Sequence, residues 1–186
     1  AIDRARLALD VAGDGLLNVE VNAGSVDALA QNGGLIQADG GQVLLTAKSA
    51  SHLLQSAVNN TGLIQAQTIE NRSGTIRLLG DMQSGTANVG GTLDASAPTG
   101  GDGGLIDTSA AQVKVASDTK VTTAAAQGLT GSWLVDPTDY TIAASGGDIT
   151  GATLSSNLAG TNVVIQSTSG GAGTAGRSGA PDRRRR

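Results

Sequence analysis

The residues able to do chemistry in this chain are few and scattered. His52 is the single histidine, and cysteine is absent. A zinc site draws on several Cys or His ligands, and a catalytic triad needs a nucleophile, a base and an orienting group. Neither can be assembled, so His52, beside Leu53 and Leu54, reads as a surface or boundary side chain. Carboxylates offer more. Asp102 with Asp107, or Asp136 with Asp139, resemble the acid/base pairs of sugar-cleaving enzymes, some of which are themselves β-helical lyases or hydrolases. Such clefts normally add aromatic platforms and basic groups, and here Trp133 and Tyr140 are the only aromatic residues. Asp136-Pro137-Thr138-Asp139 reads more simply as a turn, with Pro fixing φ and Asp capping. The expectation is a chain that is not an enzyme, with no catalytic, cofactor-binding or metal-binding residue and no cofactor.

Three further patterns have a plain reading as well. Gly100-Gly101-Asp102-Gly103-Gly104 resembles a calcium-binding turn, but it occurs once and lacks the G-G-x-G-x-D order of tandem calcium repeats. No Walker lysine follows it to make a phosphate cradle. Asn59-Asn60-Thr61 and Asn71-Arg72-Ser73 are N-x-[ST] sequons, although Asn and Ser are also ordinary turn residues. Residues 177–186 hold five Arg and one Asp. The formal charge of −4 therefore divides into a basic tail and a more strongly acidic body. With no aromatic interleaved for base stacking, nucleic acid is not an expected partner, and residues 171–186 are expected to be a disordered Gly/Arg-rich tail.

What positions these residues is a repetitive framework. The chain has 186 residues, 28 of them Gly, and no Phe. Without bulky aromatics the interior must be narrow and regular, filled by Leu, Ile, Val and Ala in layers. No apolar run approaches the ~20 residues that span a bilayer. The chain opens on Ala1 without a signal-peptide pattern, which suggests a piece of something longer.

GLIQA occurs at residues 34–38 and again at 62–66, and GTLDA follows at 91–95. Ahead of both GLIQA copies, Val26, Leu29 and Ala30, then Leu53, Leu54, Ala57 and Val58, carry helical spacing ending at Asn32-Gly33 and Asn60 to Gly62. A looser third copy covers residues 153–167, with Leu154 and Leu158 one helical turn apart. Short strands are expected at residues 7–11, 17–21, 42–46, 75–79, 105–108, 112–116, 120–123, 133–135, 140–143 and 163–166. A β-sandwich or barrel would need larger core residues and would not repeat at this period. The pattern therefore predicts an all-β parallel β-helix, a solenoid with short helical excursions between rungs. About six rungs at the ~4.8 Å strand spacing would form a rod roughly 30 Å long, occupying residues 1–170. Leu35, Ile36, Leu63, Ile64, Leu93, Leu105, Ile106, Val113 and Val115 are its expected inward stacks.

The segments GSWLVDPTDYTIAASGGDITGATLSSNLAGTNVVIQS (residues 131–167) and GLIQADGGQVLLTAKSASHLLQSAVNNTGLIQAQ (34–67) resemble filamentous haemagglutinin-type adhesins of the two-partner secretion exoprotein family. The resemblance runs over about residues 12–170. It implies a right-handed β-helix and a segment just beyond the secretion domain of a large exoprotein. The exoprotein would be secreted or held at the bacterial cell surface, exported through an outer-membrane two-partner secretion transporter. It also implies cell adhesion, with glycans or proteins of host or neighbouring cells as partners. Related exoproteins use a similar stalk to deliver a contact-dependent growth inhibition toxin.

Overall fold

The computed structural model describes residues 5–9, 16–22, 28–48 and 56–167. Val26, His52, Leu53, Leu54 and the tail at 171–186 lie outside them. Strand β1 (Ala5–Leu9) pairs antiparallel with β2 (Leu16–Asn22). From β2 the chain winds in three-strand turns. The first adds β3 (Ala28–Asn32) and β4 (Leu35–Gln37). The second is β5 (Gln42–Lys48), β6 (Ser56–Asn60) and β7 (Leu63–Gln65). The third is β8 (Thr75–Leu79), β9 (Gly85–Val89) and β10 (Thr92–Asp94). The fourth is β11 (Leu105–Ser109), β12 (Gln112–Val115) and β13 (Lys120–Thr122). Then come β14 (Ser132–Asp136), the small pair β15 (Ile142–Ala143) and β16 (Ile149–Thr150), helix α1 (Gly151–Leu158) and β17 (Asn162–Ile165).

Strands at the same place in successive turns hydrogen-bond into three parallel sheets. The first runs β2-β5-β8-β11-β14-β17 with β1 added at its start, the second β3-β6-β9-β12, the third β4-β7-β10-β13. This is a parallel β-helix with four complete three-strand turns. The repeated pentapeptides stack directly: Leu35, Ile36 and Gln37 face Leu63, Ile64 and Gln65, and Leu63 faces Thr92. The next step of this sheet, Thr92 to Lys120, is carried by a strand (KVT) that no longer spells the repeat.

Alternation decides which side chains enter the core. Along the first sheet Val43, Ile76, Ile106 and Trp133 form one inward row, fully buried. Ile64 and Leu93 do the same on the third sheet, and Val113 and Val115 on the second. Burying an Ile or Leu fully stabilises by about 1.5–3 kcal/mol, and each layer repeats the gain. Trp133 is the bulkiest member of its row, with Nε1 donating to Thr108 Oγ1 at 3.0 Å. Successive backbones touch where Gly74, Gly104 and Gly131 precede β8, β11 and β14. A Cβ on Gly104 would lie 2.0 Å from the Gly74 carbonyl oxygen, and one on Gly131 2.0 Å from that of Gly104.

Three expectations are corrected. Leu35, Leu63 and Leu105 are not inward: Leu35 is 62% exposed and the other two are half-buried, because neighbours in a strand face opposite sides. Ile36 does face inward, packing half-buried against the core in the first turn in line with Ile64. The helical excursions expected before each GLIQA are absent among the described residues. There the chain forms β3 and β6, with Leu29 against Ala57 and Ala30 against Val58, because β6 finds ladder partners in both β3 and β9, where a five-residue helix would leave most of its backbone groups unpaired. The third copy does contain a helix, α1, but its strand β17 joins the first sheet beside β14, out of register with the GLIQA strands of the third.

Candidate functional site

A concave surface lies on the outer side of the second sheet. Two rows of side chains face outward there: Leu29, Ala57, Thr86, Gln112, and Gln31, Asn59, Asn88, Lys114. The segment after β14 folds back over this sheet and is pinned through Asp148. Lys114 Nζ lies 2.5 Å from Asp148 Oδ1, while Asp148 Oδ2 accepts from the Thr141 amide at 2.7 Å. The Asp148 carbonyl accepts from Val115 N at 2.7 Å. Two shallow grooves flank the ion pair. One, of about 340 Å³, is lined by Gln83, Gln112, Thr138 and Asp139 as well as Lys114 and Asp148. The other, of about 250 Å³, reaches Asn60 and Asn88 and is more apolar.

Carboxamides, hydroxyls, two carboxylates and an ammonium converge here, a set suited to hydrogen-bonding a hydroxylated ligand. The set lacks a nucleophile–base pair. Burial, reinforced by the Asp148 charge, pushes the Tyr140 hydroxyl far above its ordinary value, so it stays protonated near neutral pH and cannot act as a base. Its Oη is buried with no hydrogen-bond partner.

The carboxylates singled out from sequence hold local structure. Asp102 Oδ1 accepts from the Leu129 amide at 2.8 Å, binding one turn to the next, and Asp107 accepts from Ser109 Oγ at 2.5 Å on the outer face of β11. Asp136 ends β14, and Asp139 alone of that pair lines the groove. Among the described residues, no group of three or more His, Cys, Asp or Glu is placed to hold a metal ion. The Gly100 to Gly104 loop is shaped by backbone demands. Gly101 has φ +82°, and a Cβ on Gly103 would lie 1.8 Å from the Thr123 carbonyl oxygen.

Of the sequons, Asn59 faces outward on β6 and its Oδ1 accepts from Asn88 Nδ2 at 2.7 Å. Asn71 is exposed in the tight turn between Ile69 and Arg72, where Glu70 has φ +54°.

Two ladders escaped the sequence reading. Asn32 Nδ2 donates to Asn60 Oδ1 at 2.8 Å, and Asn60 Nδ2 donates to the Gly90 carbonyl at 2.6 Å, all buried at one corner of the helix. On the third sheet's outer face Gln65 Nε2 donates to both Asp39 oxygens at 3.0 and 2.9 Å, and Gln67 Nε2 to Asp94 Oδ2 at 2.8 Å. The signal for both was the 28-residue offset itself, which places Asn32 under Asn60 and Gln37 under Gln65.

No family model matches this chain, and no curated protein or solved structure matches it either.

Proposed function

We propose that this chain is a spacing and presenting segment of a large secreted or surface-exposed bacterial adhesin, and that it carries out no catalysis. The observation that supports this is the polar ladder on the outer face of the third sheet, where Gln37, Gln65 and Asp94 hold the same place in successive turns. Of the carboxylates that could act as acid and base, Asp102 and Asp107 are tied to a backbone amide and a hydroxyl instead. A stiff stack whose interior is filled by small aliphatic residues suits a stalk. Glycans or proteins of host or neighbouring cells are the partners this reading assigns. Export through an outer-membrane two-partner secretion transporter is its implied route. Within the described residues no helix is long and apolar enough to cross a membrane.

Beads coated with the purified chain provide the test. They should be retained on cell monolayers and on immobilised surface glycans above albumin-coated controls. Equal retention of both bead types would defeat the adhesive reading. Release of reducing or unsaturated ends from acidic polysaccharides would defeat the non-catalytic one.

A further inference from the structure

The corner that leads from β7 to β8 is longer than the one above it. Gln37 faces Gln65 across an offset of 28 residues, whereas Gln42 faces Thr75 across one of 33, so five residues are inserted there. They form a tight hairpin. Ile69 N donates to the Arg72 carbonyl at 3.1 Å and Arg72 N to the Ile69 carbonyl at 2.9 Å, while Glu70, at φ +54°, supplies the reversal. Residues 69–73 are exposed throughout. In stacked repeats such insertions become features of one outer face. Here the tip spells Asn71-Arg72-Ser73, one of the two N-x-[ST] sequons.

The two sequons are alike as motifs and opposite as structures. The motif's working groups are the asparagine carboxamide and the hydroxyl two residues on. Asn59 lies inside β6, whose backbone is laddered to β3 on one side and β9 on the other. Its carboxamide oxygen accepts from Asn88 Nδ2 at 2.7 Å, and the Thr61 hydroxyl reaches the Asn32 carbonyl at 3.4 Å. Both working groups are therefore engaged. The side chains of Asn71 and Ser73 make no hydrogen bond among the described residues. A recess of about 160 Å³ opens beside them, lined by Thr68, Gly101 and Asp102 as well as Asn71 and Ser73. The Asn71 carboxamide can thus be approached from outside without opening a strand.

We propose that Asn71 takes an N-linked sugar and that the fold excludes Asn59 from the same reaction. The Asn71 carboxamide nitrogen attacks the anomeric carbon of a hexose activated as its nucleoside diphosphate. The C–N bond forms as the bond from that carbon to the diphosphate oxygen breaks. The nucleoside diphosphate leaves, and the nitrogen gives one proton to a base of the transferase. The product is a bulky, hydrated group on an outer corner of the helix, clear of the inward rows that hold the stack together.

The test starts from the folded chain purified without sugar, incubated with UDP-glucose and a soluble asparagine glycosyltransferase that reads N-x-[ST]. Peptide mapping should find one hexose on Asn71. Asn59 should fill about tenfold more slowly, because it must wait for β6 to open. Short synthetic peptides spanning each sequon should lose this preference, which assigns it to the fold. Ser73→Ala, at an exposed position, should abolish modification of Asn71 and leave the circular dichroism spectrum as in the parent. The chain isolated from its native source should carry sugar on the peptide containing Asn71 and none on the peptide containing Asn59. Equal filling of both asparagines in the folded chain, an unmodified Asn71 there, a preference that persists in the peptides, or a native chain whose mass equals that of its sequence would overturn the proposal. None of these outcomes depends on whether the chain adheres to cells.

Discussion

The middle of the stack and its final turn solve the same problem by different chemistry. From β5 through β11, each strand lies between a strand above and a strand below, so the fold there needs only side chains that stack. Past β13 the third sheet has no further strand among the described residues. There α1 crosses the edge, and one side chain replaces a strand: Asn157 accepts from Val121 N and donates to the Thr119 carbonyl at 3.1 Å. Thr153 Oγ1 adds a bond to the Ser117 carbonyl at 3.0 Å. The helix is fixed at its start by Thr150, whose Oγ1 accepts from Thr153 N at 3.1 Å. The middle is specified collectively and the end individually. A lost residue is therefore shared across turns in one region and felt at a point in the other.

The largest effect is expected in the middle. Ile64 is fully buried between Ile36 and Leu93, and Ile64→Asp would place an unpaired charge in a dry interior. A loss on the order of 4–5 kcal/mol is expected, with circular dichroism and Trp133 fluorescence melting together at a lower temperature. If Trp133 melted at its parental temperature while the strand signal fell, the two regions would be uncoupled. Next comes the end. Asn157→Ala strands a buried donor and a buried acceptor, costing about 2–3 kcal/mol. Hydrogen exchange should accelerate at Val121 and in α1 while the second-turn amides keep their protection. Equal acceleration at β6 would show that the end is no separate unit.

These two regions were unequally legible in the sequence. The stack was visible because GLIQA returns after one turn, and the register Leu35 to Leu63 and Ile36 to Ile64 follows from that repeat alone. Which member of each Leu-Ile pair faces inward was not, since two adjacent apolar residues satisfy either phase of a strand. Asn32-Gly33 and Asn60 to Gly62 look like helix ends because a corner needs the same residues as a helix stop. Here the asparagines turn inward and ladder, and the chain before them is strand. The closure by Asn157 had no sequence signal. Its partners lie 36 and 38 positions away, and nothing about an Asn in an amphipathic helix marks it as a stand-in for a strand. The groove was half legible: Asp139 was singled out as part of a turn, whereas Lys114 and Asp148 meet across 34 residues with no repeat to relate them.

Asn60→Ala probes the collective region by the same chemistry. It removes the bond to Gly90 and the one from Asn32, so about 2 kcal/mol should be lost. The loss should be spread over the amides of β3, β6 and β9, in contrast to the point effect at Asn157. Protection lost at one amide only would remove the distinction between the regions.

The smallest effect belongs to the outer ladder. Partial burial works against ionisation of Asp39, but bonds from the Gln37 side chain, the Gln67 amide and the Gln65 side chain outweigh it and hold the carboxyl below its ordinary value of 3.8. A carboxylate favoured in the folded state contributes stability above its unfolded value. That contribution fades as pH falls through the lowered folded value. The parent should therefore lose a little melting temperature between pH 5 and pH 2, and Asp39→Asn should lose less over the same interval. Because Asp39 binds Gln65 and Gln67 of the next turn as well as its neighbour Gln37, the difference measures how much an exposed rung-to-rung contact adds to a stack whose backbone is already paired. An identical acid response in both proteins would mean that the ladder follows the register and does nothing to set it.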